Sequence, residues 1–265
     1  MQDTRHVDSL PDDASGTFNG LRIAVTGGTS GLGLALVREL HARGGRVAFV
    51  ARGRDRVAQV EHEISGVAGI VGDVSRKEDI HPLAIQILAR LGGLDVLINN
   101  ASDLGTVPLA LLADTECEEL QRALDTNVLG PFRLTRAVLG ALAASAREGR
   151  GAVVLNVSSD AAVTPYPSWG AYGTSKAALH HLSRIWDAEL EGEGVRFLSL
   201  DPGDMDTPLH RLALPGADPT TLRKPEAAAR ELLTAIAAVL PAREPARAVA
   251  ERPDAAVQRI IRTYW

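Results

Sequence analysis

The run Arg22-Ile23-Ala24-Val25-Thr26-Gly27-Gly28-Thr29-Ser30-Gly31-Leu32-Gly33 decides the fold. Its first five residues are mostly apolar or β-branched and suit a strand. Four glycines in the next seven residues end that strand in a tight turn, because glycine alone adopts positive φ at no steric cost. Beyond the turn, Leu32, Ala35, Leu36, Val37 and Leu40 recur at helical spacing. A strand that feeds through a glycine-rich turn into a helix is the first half of a βαβ unit.

Working outward, the same alternation repeats along the chain. Strands are expected at 22–26, 46–51, 67–71, 94–99, 152–157 and 195–200, and helices at 31–43, 54–64, 77–91, 116–146, 171–191 and 225–240. The strand runs are rich in Val, Ile and Leu without polar alternation, so both of their faces are covered. The expected class is α/β: a Rossmann-like, doubly wound parallel sheet of six to seven strands with helices on both faces. A short seventh strand is expected at 246–250. Residues 1–18 read as a polar tail and 19–265 as one domain, with ligands at the carboxyl ends of the strands.

Composition excludes several classes of function. Among 265 residues there is one Cys, which forms no internal disulfide and supplies no thiolate cluster, so no metal site is expected. A net charge of -5 gives no electrostatic footprint for nucleic acid. No apolar run approaches the roughly 20 residues that span a bilayer, and the polar N-terminus lacks the apolar core of a signal peptide. A soluble, cytoplasmic protein without nucleic-acid or membrane partners is the expectation.

The glycines of the turn let backbone approach a pyrophosphate, while free N–H groups at the helix start favour the anion. Dinucleotide binding is therefore expected at Thr26, Gly27, Thr29, Ser30, Gly31, Leu32 and Gly33. The second strand ends in Ala51-Arg52, without the carboxylate that would hold the ribose 2'-hydroxyl of NAD. A planar guanidinium suits a 2'-phosphate, so Arg52 favours NADP(H), with NAD(H) still admissible. The bland alternative is that Arg52 and Arg54 are solvated loop charges.

Tyr172-Gly173-Thr174-Ser175-Lys176 sets a tyrosine and a lysine four apart on one helix face. With three of each residue in the chain, this pairing arises by chance only about 0.03 times. A neighbouring cation favours the phenolate, so Lys176 would tune Tyr172 for proton transfer.

These strings together resemble the short-chain dehydrogenase/reductase family. The resemblance runs from about residue 21 to residue 240 and rests on Thr-Gly-x3-Gly-x-Gly, the Asn99-Asn100-Ala101 string, Tyr172-x3-Lys176 and Pro202-Gly203. It implies that Asp73 and Val74 contact adenine, that Asn99 and Ala101 lie beside the cofactor, and that Pro202, Gly203 and Thr207 contact the nicotinamide. It implies a catalytic set of Asn127, Ser159, Tyr172 and Lys176, with Asn127 interrupting a helix and Ser159 orienting the substrate. Ser158 is the neighbouring alternative, since adjacent residues in a strand face opposite ways. Residues 208–222 fall where the family has a mobile, substrate-covering loop. Trp169 is either a pocket wall or a packed aromatic, and His210 is given no role. Ser102 departs from the family's usual glycine in Asn-Asn-Ala-Gly.

The implied activity is NAD(P)H-dependent reduction of a ketone or aldehyde to an alcohol, or the reverse, with Tyr172 as acid/base. The small-molecule substrate is the expected partner, in a homodimer or homotetramer. A non-catalytic NADP(H)-sensing regulator is the alternative, although such a sensor needs no proton donor. A sugar-nucleotide epimerase would need a different glycine spacing and a longer C-terminal region.

Overall fold

The computed structural model describes residues 16–241. The elements in chain order are β1 (Arg22–Thr26), α1 (Gly31–Ala42), β2 (Arg46–Ala51), α2 (Arg54–Glu63), β3 (Ala68–Val71), α3 (Lys77–Leu91) and β4 (Val96–Asn99). They continue as α4 (Cys117–Leu124), α5 (Gly130–Arg147), β5 (Ala152–Val157), α6 (Gly170–Leu190), β6 (Val195–Leu200), α7 (Pro208–Ala213) and α8 (Pro225–Val239). Six parallel strands form one sheet in the order β3-β2-β1-β4-β5-β6. The order reverses between β1 and β4, and a crevice opens there at the carboxyl ends.

Strand alternation explains why both faces are apolar. Ile23, Val25, Val47, Phe49, Val153 and Leu155 point to one layer, where α1 and α8 pack. Ala24, Ala48, Val50, Leu97 and Val154 point to the other, against α3 and α5. The inner strands β1, β2, β4 and β5 thus present two buried faces, whereas the edge strands β3 and β6 are only partly covered, Val71 being exposed.

Several expectations change. The expected seventh strand at 246–250 lies outside the described residues. The packed fold reaches back to Phe18, which is fully buried beneath the Arg43 guanidinium, 5.9 Å above its ring, so part of the stretch read as tail belongs to the core. The expected helix at 116–146 is broken: α4 ends at Leu124, a π-helical turn covers Asp125–Leu129, and α5 begins at Gly130. Pro131 has no N–H to offer the Asn127 carbonyl, so the regular ladder fails there, and the Gly130 N–H bonds Asp125 five residues back. Gly130 also sits where a Cβ would meet the Val74 carbonyl at 2.9 Å, so this bend presses close against the loop after β3. Residues 208–222, placed by resemblance in a covering loop, include the helix α7. Thr207 caps α7, its hydroxyl accepting from the His210 N–H at 3.2 Å, and Pro208 occupies the first helical position.

At the amino edge of the sheet, Asp95 is fully buried and saturated with donors. Arg22 donates to it from its backbone N–H at 2.8 Å and from Nη2 at 2.6 Å. Arg150 adds Nη2 at 3.0 Å, and the Ser145 hydroxyl lies at 2.6 Å. These donors hold its carboxyl well below the usual carboxylate range despite burial.

Candidate active site

The carboxyl edge carries a cavity of about 740 Å³. The glycine-rich turn lines it. Gly27 and Gly31 both have positive φ, 73° and 49°, and a Cβ on Gly31 would press on Thr207 at 3.1 Å. The first turn of α1 holds no acidic residue, and Ser30 does not cap it with its side chain, so its N–H groups stay open toward the cavity. The residues present fit the pyrophosphate of a dinucleotide.

Gly27, Thr29, Ser30, Gly31, Leu32 and Gly33 line this cavity. So do Arg52, Asp73, Val74, Ala101, Pro202, Gly203 and Thr207. Arg52 is exposed at the rim. Arg56, which sequence reading passed over, reaches back from α2 to the Thr29 carbonyl at 3.1 Å and braces the glycine-rich turn. Its spacing from that turn becomes informative only when β2 and α2 fold beside it.

Three of the residues singled out by sequence do not line the cavity. Thr26 is buried, and its hydroxyl accepts from the backbone N–H groups of Asn100 and Ala101, both at 3.0 Å. Asn99 is buried against Asn156, donating to its Oδ1 at 2.8 Å. Asn127 is fully buried one layer behind, in the π turn. It clamps the loop after β4, accepting from the Asp103 N–H at 2.8 Å and donating to the Asp103 carbonyl at 2.7 Å. Its Nδ2 also reaches Ser175 on α6 at 2.8 Å.

Tyr172 and Lys176 lie on adjacent turns of α6 and both line the cavity. Lys176 is 2% exposed; its ammonium donates to the Val157 carbonyl at 2.8 Å and sits 5.4 Å from the centre of the Tyr172 ring. Among the described residues no carboxylate lies within ion-pair distance of it, and burial pushes its pKa down to about 8. Burial pushes the Tyr172 phenol up to about 12, opposed by the nearby Ser159 and Ser102 hydroxyls. In this state burial, rather than the charge of Lys176, governs the phenol.

Both serines at the end of β5, Ser158 and Ser159, line the cavity. The backbone stays extended past Val157, with the Ser158 N–H donating to the Leu200 carbonyl at 2.8 Å and Ser159 at φ -161° and ψ 156°. Ser159 is the one that neighbours the Tyr172 phenol. It also caps the next turn, accepting from the Ala161 N–H at 3.2 Å and donating to Asp160 at 3.1 Å. Trp169 is both a wall of the cavity and a packed aromatic, edge-on to Tyr172 with ring centres 5.7 Å apart. His210 lines the cavity too, a position that its lone place in the sequence did not signal.

The remaining wall is apolar, built from Leu104, Ala161, Trp169, Leu209 and Ala213 around Tyr172. Such an arrangement can hold a dinucleotide with its reactive end beside a phenol, a hydroxyl and an ammonium. It can then offer a proton to an oxygen that gains charge.

Comparison with known proteins agrees. The model of the family described as short chain dehydrogenase matches residues 22–215. A short chain dehydrogenase of the fungus Pseudocercospora fijiensis is 35% identical over 206 residues, which are 75% of this chain and 64% of that protein's length. An alcohol dehydrogenase from the archaeon Thermococcus sibiricus, complexed with 5-hydroxy-NADP, superposes with a TM-score of 0.72 at 30% identity, covering 82% of this chain and 90% of the other. A 3-ketoacyl-(acyl-carrier-protein) reductase from Brucella melitensis, complexed with NADH, gives 0.75 at 26% identity over the same shares. Among the described residues no helix is long and apolar enough to cross a membrane, and no cluster of His, Cys, Asp and Glu could hold a metal ion.

Proposed function

The chain belongs to the short chain dehydrogenase family, and on that premise we propose that it is a carbonyl reductase that prefers NADP(H) and works equally in reverse as an alcohol dehydrogenase. The observation that carries this reading is one cavity lined at once by the glycine-rich turn, Arg52, Ser159, Tyr172 and Lys176.

Arg52 recognises the 2'-phosphate, and no acidic residue follows β2 immediately to compete for the ribose hydroxyl. The nicotinamide, when bound, supplies the hydride for the carbonyl carbon. Tyr172 donates its proton to the carbonyl oxygen, and a phenol held well above neutrality is fully protonated and ready to do so. The Ser159 hydroxyl steadies that oxygen as charge builds on it. Lys176 favours the phenolate left behind, and Asn127 holds the loop after β4 against α6. The apolar wall of Leu104, Trp169, Leu209 and Ala213 excludes water and favours an apolar carbonyl compound.

The test is consumption of NADPH with a panel of ketones and aldehydes, by the unmodified protein and by Tyr172→Phe. Turnover should fall about 10²–10⁴-fold in the variant while NADPH still binds. Unchanged turnover in Tyr172→Phe overturns the mechanism, and tight NADPH binding without turnover on any carbonyl favours a sensor.

A further inference from the structure

We infer that Asp160 determines substrate preference: its carboxylate takes a hydrogen-bond donor carried on the carbon next to the reacting carbonyl, so the preferred class is an α-hydroxy or α-amino ketone. The inference rests on the carbonyl reductase reading, with Ser159 at the reacting oxygen.

Asp160 opens the short turn of 3-10 helix Asp160–Ala162, directly after Ser159. Its backbone carbonyl accepts from the Val163 and Thr164 N–H groups, both at 2.9 Å. The turn is also pressed against α6, since a Cβ on Gly173 would meet the Ala161 carbonyl at 3.0 Å, one residue beyond Tyr172. The backbone of Asp160 is thereby fixed relative to the phenol. Capping of the turn falls to Ser159, whose oxygen accepts from the Ala161 N–H at 3.2 Å, so the Asp160 carboxylate is left for other partners. Its Oδ1 accepts from the Ser159 hydroxyl at 3.1 Å, and its Oδ2 from the Tyr166 phenol at 2.7 Å. Ser159, Asp160 and Tyr166 all line the cavity. Among the described residues no Lys, Arg or His lies within ion-pair distance of Asp160.

A carboxylate accepts about four hydrogen bonds, so the two from Ser159 and Tyr166 leave room for more. Distance selects where a further donor sits. A carbonyl oxygen held by Ser159 lies about 2.8 Å from Oγ. Asp160 Oδ1 is 3.1 Å from the same Oγ. A donor on the carbon next to the carbonyl stands about one hydrogen-bond length from the carbonyl oxygen, so that oxygen, Ser159 Oγ, Asp160 Oδ1 and the donor close a ring of similar sides. The Ser159 hydroxyl has one hydrogen, and a bond to a carboxylate is stronger than one to a neutral ketone. A plain ketone therefore leaves that hydrogen on Asp160. A hydroxyl or ammonium on the neighbouring carbon gives Oδ1 a replacement donor, which frees Ser159 to turn to the oxygen on which charge builds. The preference is thus expressed in rate as well as in binding.

The experiment measures kcat/KM with NADPH for acetophenone and its analogues bearing a methoxy, hydroxyl or amino group on the methyl carbon, in the unmodified protein, Asp160→Ala and Asp160→Asn. The methoxy ketone resembles the hydroxy ketone electronically but has no donor. The hydroxy ketone should exceed it about tenfold in the unmodified protein, a modest factor because Asp160 opens to solvent, and the ratio should fall close to one in Asp160→Ala. Asp160→Asn keeps an acceptor without the charge, so it should retain most of the hydroxyl preference and lose any excess for the amine, which separates the two kinds of donor. Each ratio is taken on one preparation, so a loss of folded protein cancels. A ratio near one in the unmodified protein, or one that survives Asp160→Ala, overturns the inference. A second measurement needs no turnover: by calorimetry on the NADP+-loaded protein, the phenyl-substituted vicinal diol should bind about tenfold more tightly than the matching monoalcohol, and Asp160→Ala should remove the difference. If no carbonyl is turned over, the carbonyl reductase reading falls, and an equal Kd for the two alcohols in the unmodified protein then overturns the role of Asp160 as well.

Discussion

The two edges of the sheet treat buried charge in opposite ways. At the amino edge, Asp95 is fully buried, with Arg22, Arg150 and Ser145 all donating to it. At the carboxyl edge, Lys176 is almost as deeply buried and, among the described residues, has one carbonyl acceptor and no carboxylate within ion-pair distance. The same sheet depresses the pKa of both groups, for opposite reasons. Asp95 is held in its charged form by its donors, whereas Lys176 is pressed toward its neutral form by lost solvation. A charge with its partners in place is a fixed part of the framework. One left short of partners responds to whatever enters the cavity, as a proton-transfer site requires.

The comparison can be broken at either edge. The largest effect expected is that of Tyr172→Phe, which should remove about 10²–10⁴ of carbonyl turnover and leave the urea midpoint close to that of the unmodified protein. Next, Asp95→Ala strands Arg22 and Arg150 and should lower stability by about 3–5 kcal/mol in urea unfolding, with kcat per folded molecule changed little. Because the carboxyl of Asp95 is lowered on folding, its contribution is present above the ordinary carboxylate range. It is lost only as pH falls below about 4 toward the folded value. A large fall in kcat without a fall in stability would mean that the two edges are not separable.

Lys176 should give a smaller effect of the opposite sense. Its folded value of about 8 lies below the ordinary lysine value, so between the two the unfolded chain binds more protons and stability rises with pH. Lys176→Met should flatten a rise on the order of 2 kcal/mol between about pH 8 and 10, read by urea unfolding at each pH. An unchanged slope would mean that Lys176 keeps its charge despite its burial. The smallest effect expected belongs to the exposed rim. Arg52→Ala should narrow the preference for NADPH over NADH about tenfold in Kd, as befits one charge-assisted contact open to solvent. Equal affinities in the unmodified protein would remove Arg52 from cofactor choice.

Much of this was legible along the chain because the signals are local. Apolar runs near Val25, Val47, Leu97, Val154 and Phe197 mark strands whatever else the chain does, since a strand buried on both faces needs no partner to be recognised. The glycine-rich turn, and Tyr172 four residues before Lys176, are likewise set by spacing on one element. The break at Asn127 was only half legible. Pro131 is visible in sequence, but the π turn also depends on Gly130 approaching the Val74 carbonyl from another part of the chain. By resemblance residues 208–222 fall in a mobile, substrate-covering loop, whereas Thr207 and Pro208 carry a local helix-start signal that yields α7.

What the sequence determined by itself was the class of sheet, the anion-binding turn and the pairing of a phenol with an ammonium, because each follows from neighbours within a few residues. Only the tertiary structure decided which polar groups face the cavity and which stand behind it. Thr26, Asn99 and Asn127 turn inward to hold strands and loops together, while Ser102, Ser158 and His210 come to the cavity wall. It alone decided that Asp95 is saturated and Lys176 is not. Donors from residues 22, 145 and 150 converge on residue 95 only when distant strands and helices pack, and that convergence fixes both burial and charge.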